Sequence, residues 1–351
     1  MRVENQKRER TNPSLSTINF PLSSTKLLMT TTEISNKRKL SIDQFRGFAI
    51  FGMIMVNYLN HFAVIPETFK HPHYGMTFAN TIAPFFLIAV GMGFRISFVR
   101  MVARIGYKLA LIHAIKRYLI LIFIGFVLYG PDIKVDVWDA LVDIGFAGLL
   151  ALPFITKSTR VRTAAAFSFL IIYQLLFVYA GYGAWTMANS IDGGPLGPIS
   201  WVSILLFGTV LYDLLNDYSS KDFIRYTLIF GIILIAVGYL LSLLQPQENW
   251  QFSQRSMSIA YPILSSGIGF ITFLFFYVVN DIKQIELPHL TILGINPLLL
   301  YIVQNILIGL HRGVLPSSAP LWQALTGFLV IYILCYLVAH YLWRNKMVIK
   351  I

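Results

Sequence analysis

Two histidines, His71 and His73, lie in a short polar stretch, FKHPHYGMTFAN (residues 69–80), between two strongly apolar segments. Histidine titrates near neutral pH and is the most frequent general base in enzymes. An isolated histidine at a membrane interface is more often a solvated surface residue. The stretch predicts a proton-transfer site if carboxylates from elsewhere in the chain converge on one of the two imidazoles.

Three aspartates could provide such carboxylates. Asp136, Asp139 and Asp143 lie in VDVWDALVDIGFAG, at offsets of three and four residues. This spacing places all three on one face of a helix. The preference of acidic residues for helix starts accounts for Asp136 but not for Asp143, which lies two turns further on. Asp139 and Asp143 are therefore candidate catalytic residues.

A further polar group occurs in SIDQFRGFAIFGMIMVNYLNH, where Arg46 and Asn57 are eleven residues apart and nearly eclipsed on a helix. Asp43 lies three residues before Arg46 and can pair with it. One interpretation is structural: an ion pair and an interhelical amide hydrogen bond. The other is functional, because polar groups within membrane helices usually face a protein interior or a watery cavity.

Membrane-spanning helices must position these residues. With 56% hydrophobic and 13% charged residues, the chain is too apolar for a soluble domain. Apolar runs of about 20 residues recur, the helix length that crosses a bilayer. The sequence predicts an all-α polytopic membrane protein with about ten transmembrane helices. The predicted spans are residues 45–64, 78–97, 118–129 (long enough only if extended back to about 109), 136–155, 163–183, 199–215, 224–244, 259–279, 290–310 and 321–343.

The distribution of lysine and arginine predicts the orientation, because cytoplasmic segments retain these residues during insertion. Of the 28, only Lys70, Lys134, Arg255 and Arg312 fall on the side opposite to the N-terminus. Both termini are therefore predicted to be cytoplasmic, in the cell membrane, with the His71 loop outside. The net charge of +12 is explained by this topology and by attraction to anionic lipid, so nucleic acid is not expected as a partner.

The N-terminal 37 residues are polar and rich in serine and threonine, which predicts a disordered cytoplasmic tail before a transmembrane domain at 38–351. Met29 is an alternative start. The single cysteine, Cys335, excludes an intrachain disulfide. No zinc-ligand spacing occurs in the sequence, so no metal site is expected.

Several of these segments resemble a known family. RKLSIDQFRGFAIFGMIMVN, the polar loop KHPHYGMTFAN and TIAPFFLIAVGMGF resemble the catalytic core of heparan-α-glucosaminide N-acetyltransferase-like membrane acyltransferases. Those proteins share a Ser-x-Asp-x-x-Arg-Gly opening, a late asparagine in that span, and a histidine shortly before Gly-x-Thr. The segments DIGFAG, GINPLLLYIV and MVIKI are also similar. The resemblance extends from about residue 38 to the C-terminus and predicts a transmembrane acyltransferase domain there.

The resemblance implies that acetyl-CoA is the acyl donor, bound from the cytosol, and that the acetyl group passes to an acceptor on the other side. The essential loop histidine of the family corresponds to His71, and its supporting asparagine to Asn57. His73 remains a rival, because the loop is one residue shorter than the usual His-x-x-Trp-x-Gly. The aspartate that follows Gly-x-Thr in the family is Asn80 here, which removes one carboxylate.

The same resemblance implies a site for the phosphates of CoA. Arginine suits this role because it binds phosphate through two hydrogen bonds. Arg46, supported by Asp43, is the first candidate, followed by Arg95 and Arg117.

Several alternatives remain open at the level of sequence. His71 could act as general base with Asn57 donating to the oxyanion, or it could form an acetyl-histidine intermediate. The acceptor could be an amine or a hydroxyl, on a sugar or glycan, and a homodimer is compatible with the sequence. A proton-coupled secondary transporter would also explain aligned aspartates, although no inverted repeat is apparent. An inactive family member is the third alternative, and Asn80 favours it.

Overall fold

The computed structural model describes residues 39–130, 137–190 and 192–349, which form helices and connecting loops without a strand. The predicted tail (residues 1–37) and Asp136 lie outside the described residues. In chain order, the helices are α1 Leu40–Leu59, α2 Phe78–Ile105, α3 Tyr107–Tyr129, α4 Ala140–Ala151, α5 Thr159–Tyr179, α6 Tyr182–Asn189, α7 Gly197–Asp217, α8 Ser220–Ser242, α9 Gln247–Trp250, α10 Ala260–Phe276, α11 Pro288–Ile295, α12 Pro297–Arg312 and α13 Leu321–Arg344.

Among the described residues, seven helices are long and apolar enough to cross a membrane, or up to eight if the bent pair α11 and α12 forms one span. The all-helical fold with several helices able to span a membrane is thereby confirmed, whereas the count of ten is not. Helix α1 is not among the seven, because Asp43, Gln44 and Arg46 lower its mean hydropathy. Helix α4, with the 3₁₀ turn Leu152–Phe154 that follows it, is shorter than a full span.

Two of the predicted spans differ from the helices in the structure, and both differences affect the site. The third begins at Tyr107 and reaches full length, so the extension of that span towards residue 109 is confirmed. The ninth is broken between Ile295 and Pro297, where its halves diverge by 90°. Proline disfavours a helical residue before it, which explains the break. Asn296 occupies the break and binds the C-terminal segment, donating to the Met347 carbonyl and accepting from the Ile349 amide.

Helices α2 and α7 cross near the centre of the bundle, and their close approach depends on glycine. A β-carbon on Gly91 would overlap the carbonyl oxygen of Leu205, and one on Gly208 would overlap that of Ile88. Small residues allow such backbone contact in membrane proteins, where packing rather than water drives association. This crossing places the start of α2, which follows the His71 loop, beside the start of α7.

The helices define two ends of the bundle. The His71 end contains the loop of residues 60–77, and the Arg95 end contains the second half of α2 and the start of α5. Arg95 lies 17 residues beyond Phe78 on α2, which corresponds to about 26 Å along the helix. Which end faces the cytosol stays a prediction, as do the positions of the termini.

Candidate active site

The loop at the His71 end is held by hydrogen bonds to its own ends and to a distant loop. The backbone N–H of His71 donates to the Asn60 side chain (3.0 Å), and Thr77 Oγ1 donates to the Lys70 carbonyl (2.9 Å). The Gly75 N–H donates to the Phe252 carbonyl (2.8 Å). Gly75 has a φ of +97°, a conformation that favours glycine, so the loop can turn sharply here.

Asn80 determines which nitrogen of His71 carries the proton. Its Nδ2 donates to the Gly75 carbonyl (3.1 Å), which turns its Oδ1 towards His71. Oδ1 lies 3.0 Å from His71 Nδ1, so Nδ1–H is the donor and Nε2 is left to accept a proton. Asn80 is fully buried, and its backbone carbonyl accepts a hydrogen bond from Tyr261 (2.7 Å). Asn80 therefore orients the imidazole as the aspartate implied by the family resemblance would, but without a charge.

Burial lowers the pKa of His71 below its ordinary value of 6.5, and this effect outweighs the opposing ones. The hydrogen bond to Asn80, the side-chain amide of Gln254 and the charge of Asp139 act in the other direction, because they favour the protonated ring. His71 is consequently neutral at pH 7, the state in which it can accept a proton.

His73, the rival histidine, has a different environment. The ring lies exposed at 2.7 Å from the guanidinium of Arg255, which donates to it. Arg255 also donates to the Ser190 carbonyl, and Ser253 donates to the His73 carbonyl (2.7 Å). A guanidinium can only donate hydrogen bonds, so one ring nitrogen of His73 accepts a hydrogen bond from Arg255 and its lone pair is occupied. His73 links two loops, and the geometry favours His71 as the base.

His71 faces a cavity of about 440 Å³ at this end of the bundle. The size is that of a site for a small organic ligand. Asn57 lines it, and its side-chain amide makes no hydrogen bond within the described part of the chain, whereas its backbone carbonyl accepts from Arg312 (2.8 Å). The polar residues that line the cavity are Asn57, Asn60, His71, His73, Asp139, Asp192, Gln254, Arg255, Tyr301, Asn305 and Arg312.

Asp139 closes one wall of the cavity. It precedes α4, where its Oδ1 accepts hydrogen bonds from the Ala140 N–H and from the hydroxyl of Tyr301 (3.2 Å). Tyr301 in turn contacts the hydroxyl of Tyr129, which accepts from Asn305 Nδ2 (3.3 Å). The sequence predicts that a carboxylate lies near His71, and Asp139 lines the same cavity. Asp139 is positioned there as the N-cap of α4 and not as part of a helix face.

Asp143 does not reach the His71 cavity. It lies in the first turn of α4, is 2% exposed, and neither carboxylate oxygen has a hydrogen-bond partner in the described part of the chain. It borders a small apolar recess of about 20 Å³ with Phe86, Ile144 and Trp201. The three-aspartate face predicted from the sequence is therefore split: Asp136 is not described, Asp139 lines the cavity and Asp143 lies beneath it.

A second acid that sequence reasoning did not single out lines the cavity from the loop before α7. Asp192 is 7% exposed and accepts a hydrogen bond from Gln254 Nε2 (2.9 Å). Burial, followed by the charge of Asp139, raises the pKa of Asp192 to about 7. Nothing in the spacing of SIDGG indicates this position, because the contact joins loops 62 residues apart.

The predicted phosphate-binding residues lie away from this cavity. Arg46 pairs with Asp43 (2.8 Å) and donates to the Gly294 carbonyl. Arg95 pairs with Asp213 (3.0 Å), which also pairs with the fully buried Arg162.

Arg117 lies 5.9 Å from the ring centre of Tyr118. Arg95 thus has a structural partner that the sequence did not reveal, and a phosphate-binding role for these residues stays a prediction.

No cluster of three or more histidine, cysteine or acidic side chains suited to a metal ion occurs among the described residues.

A comparison with protein families matches residues 38–234 to the heparan-alpha-glucosaminide N-acetyltransferase catalytic family. The match spans more than half of the chain. The chain belongs to this family. A comparison with curated proteins finds no match.

The family match confirms the resemblance seen in the sequence and indicates a membrane acetyltransferase. His71, Asn80, Asp139 and Asp192 lie within the matched residues. A second set of residues lines the cavity from beyond the match, in loops and helices that fold back onto it: Gln254, Arg255, Tyr301, Asn305 and Arg312.

Proposed function

We propose that this protein transfers an acetyl group from acetyl-CoA to an amine or hydroxyl of an acceptor in the His71 cavity, and that the acceptor is a sugar or glycan. The observation that carries this proposal is the Asn80–His71 pair. It holds Nδ1 as a donor and leaves Nε2 as a base in a ligand-sized cavity. The family match supports the reaction class.

In the proposed step, Nε2 of His71 takes the proton of the acceptor while the acceptor atom attacks the carbonyl carbon of the thioester. The carbon–sulfur bond then breaks, and the imidazolium returns its proton to the CoA sulfur. The products are the acetylated acceptor and CoA thiol, and His71 is neutral again. An acetyl-histidine intermediate is the alternative, in which Nε2 itself attacks the thioester and the acceptor attacks second.

The oxyanion that forms on the thioester carbonyl needs a hydrogen-bond donor. Asn57 is suited to this role because it lines the cavity and its side-chain amide makes no hydrogen bond with any other described residue. The removal of one such donor typically lowers kcat by about 10²- to 10³-fold.

The donor is proposed to enter from the Arg95 end. Arg46 and Asn57 are separated by about 16 Å along α1, a distance that an extended pantetheine arm can bridge. CoA phosphates would then remain near Arg46 and Arg117, on the side predicted to be cytoplasmic, while the acetyl group reaches His71.

The test uses the purified full-length protein in detergent with acetyl-CoA and a panel of hexosamines and amino alcohols. Release of CoA thiol and the mass of the acetylated acceptor are measured. We expect acceptor-dependent transfer in the wild type and a loss of about 10²- to 10⁴-fold in His71→Asn. The matched control is His289→Asn, since His289 contacts Tyr336 away from the cavity.

Two outcomes would overturn the proposal. One is transfer that survives in His71→Asn. The other is the absence of both acetyl-CoA binding and thiol release in the wild type, which a transporter or an inactive family member would give. Loss of transfer in His73→Asn alone would move the catalytic role to the rival histidine.

A further inference from the structure

Gln254 and Asp192 form a pair on the wall of the His71 cavity. Gln254 Nε2 donates to Asp192 Oδ1 at 2.9 Å. The two loops are held together around this bond, because the Gly193 N–H donates to the Arg255 carbonyl (3.0 Å) and Trp201 Nε1 donates to the Asp192 carbonyl (3.0 Å). Asp192 is therefore a fixed acceptor that determines how the Gln254 amide is turned.

The orientation of this amide matters for His71. Since the amide nitrogen of Gln254 is directed to Asp192, its Oε1 is the acceptor left over on the cavity wall that Gln254 shares with His71. Oε1 is buried and accepts no hydrogen bond from any described residue. A neutral imidazole whose proton is on Nδ1 has no hydrogen on Nε2 to offer. A protonated imidazole carries a hydrogen on Nε2 that it can donate to Oε1.

We infer that Gln254, held by Asp192, is a positioning residue that stabilises the protonated form of His71. This inference rests on the proposed function, in which that form arises when His71 has taken the proton of the acceptor. A carboxylate at position 80 would stabilise the protonated ring of His71 directly. The Gln254–Asp192 pair provides part of that stabilisation through a neutral amide.

Other groups around the cavity also influence His71, and their effects must be separated from that of Gln254. Asp139 favours the protonated ring, and Asp192 titrates near neutral pH. The remaining charged or titratable groups of the cavity are His73 on the same loop, Arg255 before α10, and Tyr301 and Arg312 on α12. A substitution at Gln254 keeps these groups but removes the hydrogen bond that lowers the pKa of Asp192, so Asp192→Asn is needed to separate the two effects.

The inference is tested by the titration of His71 itself, through NMR of the full-length protein labelled with ¹⁵N-histidine in detergent micelles. The His71 signals are identified by their loss in His71→Asn. We expect Gln254→Leu to lower the pKa of His71 by about one unit, because it removes an acceptor for the charged ring. Gln254→Glu should raise it by about one unit. The acid limb of acetyl transfer should move in the same directions.

Gln247→Leu, at the exposed start of α9, is the matched control and should leave the His71 pKa unchanged. Asp192→Asn keeps an oxygen that can accept from Gln254 and removes the charge. It should therefore lower the pKa of His71 less than Gln254→Leu does. If Gln254→Leu does not fold, the nearly isosteric Gln254→Glu decides.

An unchanged His71 pKa in the Gln254 variants, or the same change in the control, would overturn the inference. A wild type whose His71 titration responds as expected but which transfers no acetyl group would refute the proposed function alone.

Discussion

At the scale of single residues, the chemistry of the site depends on an amide where the family resemblance implies a carboxylate. Asn80 can direct Nδ1 of His71 because its own Nδ2 is committed to the Gly75 carbonyl. A neutral partner leaves the effect of burial dominant, so the pKa of His71 is lowered. The base is therefore weaker than one paired with a charge, but it is unprotonated over a wider range of pH.

This arrangement makes a prediction about pH. Because the His71 pKa is lowered, kcat/KM for acetyl transfer should fall only below about pH 6.5, where the imidazole becomes protonated. In Asn80→Asp, a carboxylate next to Nδ1 raises the pKa, and the acid limb should move to higher pH. This variant should also melt at a lower temperature, because a carboxylate cannot donate to the Gly75 carbonyl.

The control for this pH profile is Asn345→Asp at the exposed end of α13, for which no change is expected. An acid limb that stays in place in Asn80→Asp would contradict the role assigned to this residue.

At the scale of elements, helix ends and loops build the cavity, and glycine contacts hold the helices that carry them. Asp139 caps α4, Asn57 is near the end of α1, and Asp192 precedes α7. Their relative positions depend on the crossing of α2 with α7, where Gly91 approaches the backbone of Leu205. A separation of these two helices would move Asn80 away from the Asp192 loop.

A bulky residue at this crossing should therefore destabilise the bundle. We expect Gly91→Val to lower the free energy of unfolding by about 1 to 3 kcal/mol, because its side chain would overlap the Leu205 carbonyl and force the helices apart. The measurement is thermal or denaturant unfolding in detergent. Gly93→Val on the same helix is the control, since a β-carbon there meets no atom within 4 Å. Equal destabilisation by both variants would argue against the crossing as the cause.

At the scale of the whole molecule, the proposed reaction needs two ends that face different compartments. The His71 cavity opens at one end, and the predicted CoA-binding arginines lie towards the other. The bias of lysine and arginine predicts that the Arg95 end is cytoplasmic. Transfer across the membrane would follow from this arrangement.

Sidedness can be measured because the chain has a single cysteine, Cys335, which is buried. In a Cys335→Ser background, we expect Tyr74→Cys to react with a membrane-impermeant maleimide in intact cells, because Tyr74 lies exposed in the His71 loop. Arg104→Cys, exposed near the far end of α2, should react only after permeabilisation. The reverse pattern would exclude an external His71 cavity.

Hydropathy and local motifs depend on neighbouring residues, so the sequence was enough to predict the helical class and the family, and to propose His71 and Asn57, both of which line the cavity. The sequence also predicted an acid near His71, and Asp139 lines the same cavity. Only the tertiary structure shows the Arg95–Asp213 pair, the exclusion of Asp143 from the cavity that Asp139 lines, and the placement of Asp192 and Gln254 on the wall of the His71 cavity. These features depend on contacts between segments far apart in the chain, which no local periodicity encodes.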